Sequence, residues 1–388
     1  MATPMLPVPS DPALLSEIRQ YGKFDSAGCY QCGSCTVSCE LVTDFASFPR
    51  KSIRYALLGL RGPLLGSLEP WVCHDCGDCS LVCPRQAEPR ISMMTLRRFL
   101  TAQYDWTGIA SRLLTSRAWY LGSLVFVGML VVLLILCYHL WYVGLAFSQL
   151  ATPMGMEHMF PTMTYYTLTV ILLPLLLLLS RVLRIWRFMM AGEDRHRIPI
   201  SAYLLEAWVY VRESVATSLL HKCPEHRRWL GHCMLACGTI TMLTIKLFGL
   251  RWFQTDNIYS IYHPQRLVGY LASALILYGV SEILVGRLRA KREIYKETRF
   301  PDLVLPVLLL LTVLSGLVAH ISRYAGFALT CHFAYAVHVI FATPMLVVEM
   351  AFGKWSHMIY RPLALYFLAI RERAAQQVPA TEAVSHAL

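Results

Sequence analysis

Residues 29–39 read CYQCGSCTVSC and residues 73–84 read CHDCGDCSLVCP. Both follow one spacing, Cys-x2-Cys-x2-Cys-x3-Cys: Cys29, Cys32, Cys35 and Cys39, then Cys73, Cys76, Cys79 and Cys83 with Pro84 behind. Eight cysteines in two such ladders are the form of a two-cluster iron–sulfur domain. Three thiolates on a short loop grip three irons of one cubane, and the fourth points away to the other cluster. The expected ligand sets are therefore crossed: Cys29, Cys32 and Cys35 with Cys83, and Cys73, Cys76 and Cys79 with Cys39. Gly33 and Gly77 share one slot in the two ladders, where a missing Cβ lets the backbone pass close to inorganic sulfide. Structural zinc also uses Cys-x2-Cys pairs, but its four ligands leave no use for a third step. Glu40 stands where the bacterial pattern carries proline, which alters the first loop without removing a ligand.

Outward from this segment the composition changes. The chain has 388 residues, 56% hydrophobic and only 15% charged, with a mean hydropathy of +0.48. That balance implies membrane spans. The net charge of +11 does not point to nucleic acid, because the basic residues flank apolar runs as the positive-inside rule requires. The start of the chain, with Pro4, Pro7, Asp11 and Pro12, lacks the basic and apolar regions of a signal peptide. The cysteine segment is thus expected in the cytoplasm, where thiols stay reduced and available for iron.

In chain order, a short helix is expected from Pro12 to Tyr21, capped by Asp11, and a second from Arg50 to Leu60, closed by Gly62-Pro63. Ile91 to Tyr104 reads as an amphipathic basic helix. Six apolar runs follow, at roughly 119–147, 162–184, 229–250, 266–286, 303–325 and 331–352, each long enough to span. The loop after the second run carries Arg181, Arg184, Arg187, Arg195, Arg197, Arg212, Lys222, Arg227 and Arg228. The loop after the fourth carries Arg287, Arg289, Lys291, Arg292, Lys296 and Arg299. Alternate loops are basic, so both termini and these loops are expected on the cytoplasmic side of the inner membrane. Residues 201–217 suit an interfacial helix. The predicted fold is mainly α: residues 1–110 a cytoplasmic two-cluster ferredoxin-like domain, 111–373 a six-span bundle binding haem b, 374–388 a disordered tail.

His139, His232, His320, His332, His338 and His357 lie in or beside the spans. Paired at matching depth, such residues point to b-type haem held by imidazoles from different helices. His232 opens the outward third span and His357 ends the inward sixth, so these two match in depth. His338, nineteen residues before His357, lies roughly 28 Å away along an ideal helix. It pairs with His320, with His139 as the competing partner, and Arg323 is placed to neutralise a propionate. Pro344 is expected to kink the helix between His338 and His357. Lys246, Glu282 and Glu349 are ionisable groups in apolar runs, suited to a proton path, a propionate or a quinone. Cys233 and Cys237 read as packing residues, and His221, Cys223, Glu225 and His226 as ordinary surface.

The ladders followed by a histidine-bearing bundle resemble the membrane component, the C subunit, of quinone-interacting membrane-bound oxidoreductase complexes. That component looks like a fusion of the iron–sulfur and cytochrome b subunits of heterodisulfide reductase. The stretch HVIFATPMLVVEMAFGKWSHMIYRPLALY, residues 338–366, is similar to the last haem-binding helix of the nitrate reductase gamma-subunit family. This resemblance implies haem ligation by His338 and His357. The family's earlier helix carries two histidines ten apart; His232 matches the first, and Met242 stands at the second. The resemblance further implies electron transfer between menaquinol and cytoplasmic flavin and iron–sulfur partner subunits, toward adenylylsulfate reductase. Its cofactors would be two [4Fe–4S] clusters and two b haems. A heterodisulfide-reductase-like oxidoreductase with another soluble partner, a transporter regulated by a ferredoxin domain and a ferredoxin on an inert anchor are the alternatives. Pro174, Pro306 and Pro344 fall into no repeat, which disfavours the transporter, and an inert anchor needs no histidines matched in depth.

Overall fold

The chain is described from a computed structural model over residues 9–25, 28–43, 46–143, 160–190, 198–217, 220–222, 226–291 and 293–377. Pro4, Pro7, Arg195, Arg197, Cys223, Glu225, Arg292, the far end of the first expected span and the tail from 378 lie outside the described residues. Among the described residues the chain is helical, with one isolated bridge between Thr43 and Ala46. It divides into two compact units. The first comprises Met1–Thr115, Ser180–Cys223 and His357–Leu388; the second comprises Ser116–Leu179 and Pro224–Ser356. The leading segment of the first unit ends at Thr115, and two later segments join it.

In the first unit the leading helix is Leu14–Gln20, with the Asp11 carboxylate accepting from the Ala13 N–H at 2.9 Å. The second expected helix stops earlier than its sequence suggests. It runs Arg50–Leu57 and the chain turns at Gly59, while Gly62-Pro63 sits in the first turn of a separate helix, Arg61–Leu65. Proline is tolerated there because the first-turn N–H groups have no intrahelical partner. The helix Pro89–Tyr104 turns Met93, Leu96, Phe99 and Leu100 inward, so it is a core element and not a surface one.

Its last residue, Tyr104, belongs to an aromatic cluster. Trp71 stacks on Tyr104 at 6.2 Å, and Tyr360 meets Trp71 edge-on at 5.4 Å. Phe188 stacks on the other side of Tyr104 at 6.1 Å. Beside the cluster, Arg181 and Asp105 pair at 2.8 Å with both side chains fully buried. These contacts explain why residues 180–223 and 357–388 fold with the cysteine segment. Within that addition the helices Ile200–Leu205 and Ala207–Val215 expose Ile200, Leu204, Trp208, Val211 and Val215. Their spacing puts them on one face, as an interfacial helix requires.

Among the described residues six helices are long and apolar enough to cross a membrane, matching the six expected runs: Arg117–Trp141, Pro161–Met189, His226–Phe248, Pro264–Arg289, Phe300–Tyr324 and Ala328–Met350. The first is capped by Ser116, whose hydroxyl accepts from the Trp119 N–H. Its outer face exposes Val125, Phe126, Met129 and Leu133, side chains that only lipid solvates without cost. The third and fourth pack through small residues. A Cβ on Gly238 would lie 2.7 Å from the Ala272 carbonyl, and one on Gly279 would lie 2.5 Å from that of Gly231.

One expectation about the last span is corrected. His357 does not end it. The helix Ala328–Pro344 gives way to a π-helical turn, Met345–Met350, and then to a 3-10 turn, Lys354–Ser356. His357 begins a separate helix, His357–Gln377, in the first unit. Pro344 withholds an N–H and crowds the preceding turn, which is the expected disturbance. Glu349 completes the break. Its buried carboxylate accepts from the Tyr120 hydroxyl and, at 3.1 Å, from the Lys354 backbone N–H, so the chain is held out of helix there. The ideal-helix distance between His338 and His357 therefore does not apply.

Candidate functional site

The two cysteine ladders fold alike. In each, the residue before the second cysteine is left-handed, Gln31 at φ 58° and Asp75 at φ 59°, and the glycine after it is too, Gly33 at 90° and Gly77 at 105°. Non-glycine residues in this region cost about 1–3 kcal/mol and gather at ligand clamps. The short helices Ser34–Val37 and Asp78–Leu81 then start directly behind the glycines. Cys29, Cys32 and Cys35 line one cavity, and the fourth thiol facing it is Cys83, from the opposite ladder. Cys39 lies within electrostatic reach of Cys73 and Cys35, and Cys79 within reach of Cys73, Cys76, Cys35 and Cys39. The structure thus gathers Cys83 with Cys29, Cys32 and Cys35 around one cavity and sets Cys39 near the second ladder, where Cys35 also lies within reach.

Donors are already aimed at the sulfurs. The Asp75 N–H donates to Cys73 Sγ, the Ala87 N–H to Cys83 Sγ and Gln31 Nε2 to Cys29 Sγ, each at 3.4 Å. Such bonds favour the thiolate that iron requires. Burial acts the other way on the bare thiols: it raises Cys35, Cys39, Cys73 and Cys79 and pushes Cys76 up to about 12. Cys32 is exposed, and the hydroxyl and N–H of Ser34 hold it below the usual thiol range. Among the described residues no three His, Cys, Asp or Glu side chains converge as a site for a single metal ion. Four thiols around a cavity, instead of on one point, suit a cubane whose irons each take one thiolate.

A second candidate site lies wholly in the second unit. A cavity of about 320 Å³, walled mostly by apolar side chains, is lined by both His320 and His338. His338 Nδ1 lies 2.8 Å from the Thr312 carbonyl. His320 is engaged at both ring nitrogens, by Arg266 Nη1 at 3.0 Å and by the Tyr270 hydroxyl at 2.7 Å. Met242, Lys246 and Arg266 line the same cavity. Arg323, expected beside a propionate, turns instead to the Thr255 carbonyl at 2.8 Å, with Asp256 3.8 Å away. His139 opens a π-helical turn against the Tyr138 ring and does not line the cavity. His232 lies in the second unit and His357 in the first. Glu282 pairs with Arg227 at 3.5 Å.

Comparison with known proteins bears on the first site. Residues 25–87 match the 4Fe–4S dicluster domain. A protein of Archaeoglobus profundus described as like the C subunit of heterodisulfide reductase is 35% identical over 88 residues, 22% of this chain and 47% of the relative. The C2 subunit of the H(2)/formate:CoB–CoM heterodisulfide, ferredoxin reductase of Methanococcus maripaludis is 43% identical over 75 residues, 19% of this chain and 40% of the relative. The second C-type iron–sulfur subunit of the CoB–CoM heterodisulfide reductase of Methanocaldococcus jannaschii is 39% identical over 84 residues, 22% and 44%. The matches thus span less than half the length of these relatives. No solved structure matches the chain.

Around the dicluster domain the structure adds residues that sequence reasoning missed. Arg97 donates to the carbonyls of Pro70 and Cys73, and both Arg97 and Arg361 act electrostatically on the Cys73 thiol. Arg361 also bonds His74 Nδ1, and Arg90 pairs with Asp75 at 3.0 Å. Three arginines around one ladder offset the negative charge that thiolates and sulfide bring. No motif marks them, since in sequence they are ordinary basic residues between apolar runs.

Proposed function

We propose that this chain is a membrane electron-transfer subunit related to the C subunit of heterodisulfide reductase, and that its membrane unit exchanges electrons with menaquinol. The cofactors carrying them are two [4Fe–4S] clusters on the crossed cysteine sets and b-type haem in the membrane unit. Ligation by His338 in the cavity is part of this reading. Electrons leave at the dicluster domain, on the cytoplasmic side, to flavin and iron–sulfur subunits of the same complex. The resemblance to the quinone-interacting oxidoreductases makes adenylylsulfate reductase the final acceptor.

The observation that carries the reading is the joining, in one chain, of a dicluster domain to six span-length helices with a histidine-lined apolar cavity. A ferredoxin with an inert anchor needs no such cavity, and a transporter needs no clusters. The relatives support a second reading of the soluble side, in which the partner is of the heterodisulfide reductase type. The test is a visible and paramagnetic resonance spectrum of the chain purified from membranes, followed by addition of a menaquinol analogue. Haem and reduced-cluster signals that both grow on addition are expected. A protein with no haem absorption, or one that the quinol leaves oxidised, overturns the reading.

A further inference from the structure

We infer that the cavity of the second unit binds a haem whose iron is held between His338 and the thioether of Met242, an imidazole–thioether pair instead of two imidazoles. The inference rests on the reading that this unit carries haem b, and it names the axial partner.

His338 is set as a ligand. Its Nδ1–H donates to the Thr312 carbonyl at 2.8 Å, which leaves the lone pair on Nε2, the tautomer that a metal takes. Gly316 makes room for the ring: a Cβ there would lie 3.1 Å from Nδ1.

His320 lines the same cavity but is occupied. A guanidinium has no acceptor, so Arg266 must donate to Nδ1, and Nε2 then carries the hydrogen shared with the Tyr270 hydroxyl. The lone pair of the neutral ring is thus already bound to a cation.

Met242 lines the same cavity from another helix, His226–Phe248. Lys246, one turn after Met242, lines the cavity too, so this face of His226–Phe248 is turned into the cavity. Met345 also lines the cavity, but it follows His338 on the same stretch of chain and accepts from Thr312 Oγ1 at 4.0 Å. Lys246 and Arg266 place two basic groups on a mostly apolar wall, a setting that suits anionic partners. Two propionates supply them; a neutral quinone ring does not. Thioether ligation raises the reduction potential relative to two imidazoles.

The experiment uses the full chain purified in detergent, with ferric absorption and near-infrared magnetic circular dichroism as readouts beside a redox titration. The wild type is expected to show the long-wavelength sulfur-to-iron charge-transfer band. In Met242→His that band is lost, the haem is retained with a bis-imidazole signature, and its midpoint shifts downward. Met242→Leu loses the low-spin signal of this haem, while His320→Ala keeps the sulfur band. A wild type with bis-imidazole haem only, or loss of this haem's low-spin signal in His320→Ala but not in Met242→Leu, overturns the inference and leaves the haem reading standing. Absence of haem overturns both.

Discussion

Cys83→Ala tests the crossed sets most directly, because crossing predicts damage far away in sequence. The substitution removes one of the four thiols around the cavity lined by Cys29, Cys32 and Cys35. The iron it serves then faces water, and an oxidant with a chelator strips that cluster first. Iron should fall from about eight per chain toward about four, since only one of two four-iron clusters loses a ligand. Alkylation after this challenge reads which one. Cys29, Cys32 and Cys35 become reactive, Cys32 fastest because it is exposed and its thiol is held below the usual range. Cys39, Cys73, Cys76 and Cys79 stay protected, and Cys39→Ala gives the mirror pattern. If Cys83→Ala instead frees Cys73, Cys76 and Cys79, each ladder holds its own cluster and the crossing is wrong.

Three more outcomes are expected. Arg181→Ala leaves the buried Asp105 carboxylate unpaired and should destabilise the first unit by about 3–5 kcal/mol; a thermal unfolding shift no larger than that of an exposed arginine variant would refute the assignment. A topology reporter fused after Lys291 should read cytoplasmic and one after Thr255 external, because the loops containing them differ in basic charge. Replacing His338 by alanine should remove one low-spin haem signal and leave both clusters intact; an unchanged haem spectrum would place the ligand elsewhere.

The ladders are legible in sequence because cluster ligation is a local matter, with a spacing of two or three residues deciding where each sulfur points. The spans are legible for a similar reason, since length and hydropathy sum over neighbours. What escapes is what depends on partners distant in the chain. Arg97 lies in the expected basic helix Ile91 to Tyr104 and Arg361 in the stretch 338–366, with no motif to mark either, yet both act on Cys73. The aromatic cluster of Trp71, Tyr104, Phe188 and Tyr360 draws segments from three parts of the sequence into one core, so a cut at residue 110 misses two of them. Sequence alone puts His357 in the sixth span because hydropathy continues past Met350; the break there is made by Glu349, held by Tyr120 from the first span.

Histidine pairing shows where depth alone stops being informative. Depth restricts partners to a plane, and within it sequence favours His320 over Met242 because an imidazole is the expected ligand in such a bundle. The cavity does contain His320, as its depth requires. Ligation also needs a free lone pair, and that is set by neighbours: Arg266 and Tyr270, both on the helix Pro264–Arg289, take the two nitrogens of His320. On His338 the Thr312 carbonyl takes one nitrogen and leaves the other. Two histidines alike in sequence are thereby distinguished by their hydrogen bonds, one engaged at both nitrogens and one at a single nitrogen, and this difference is what the proposed His338–Met242 pair rests on.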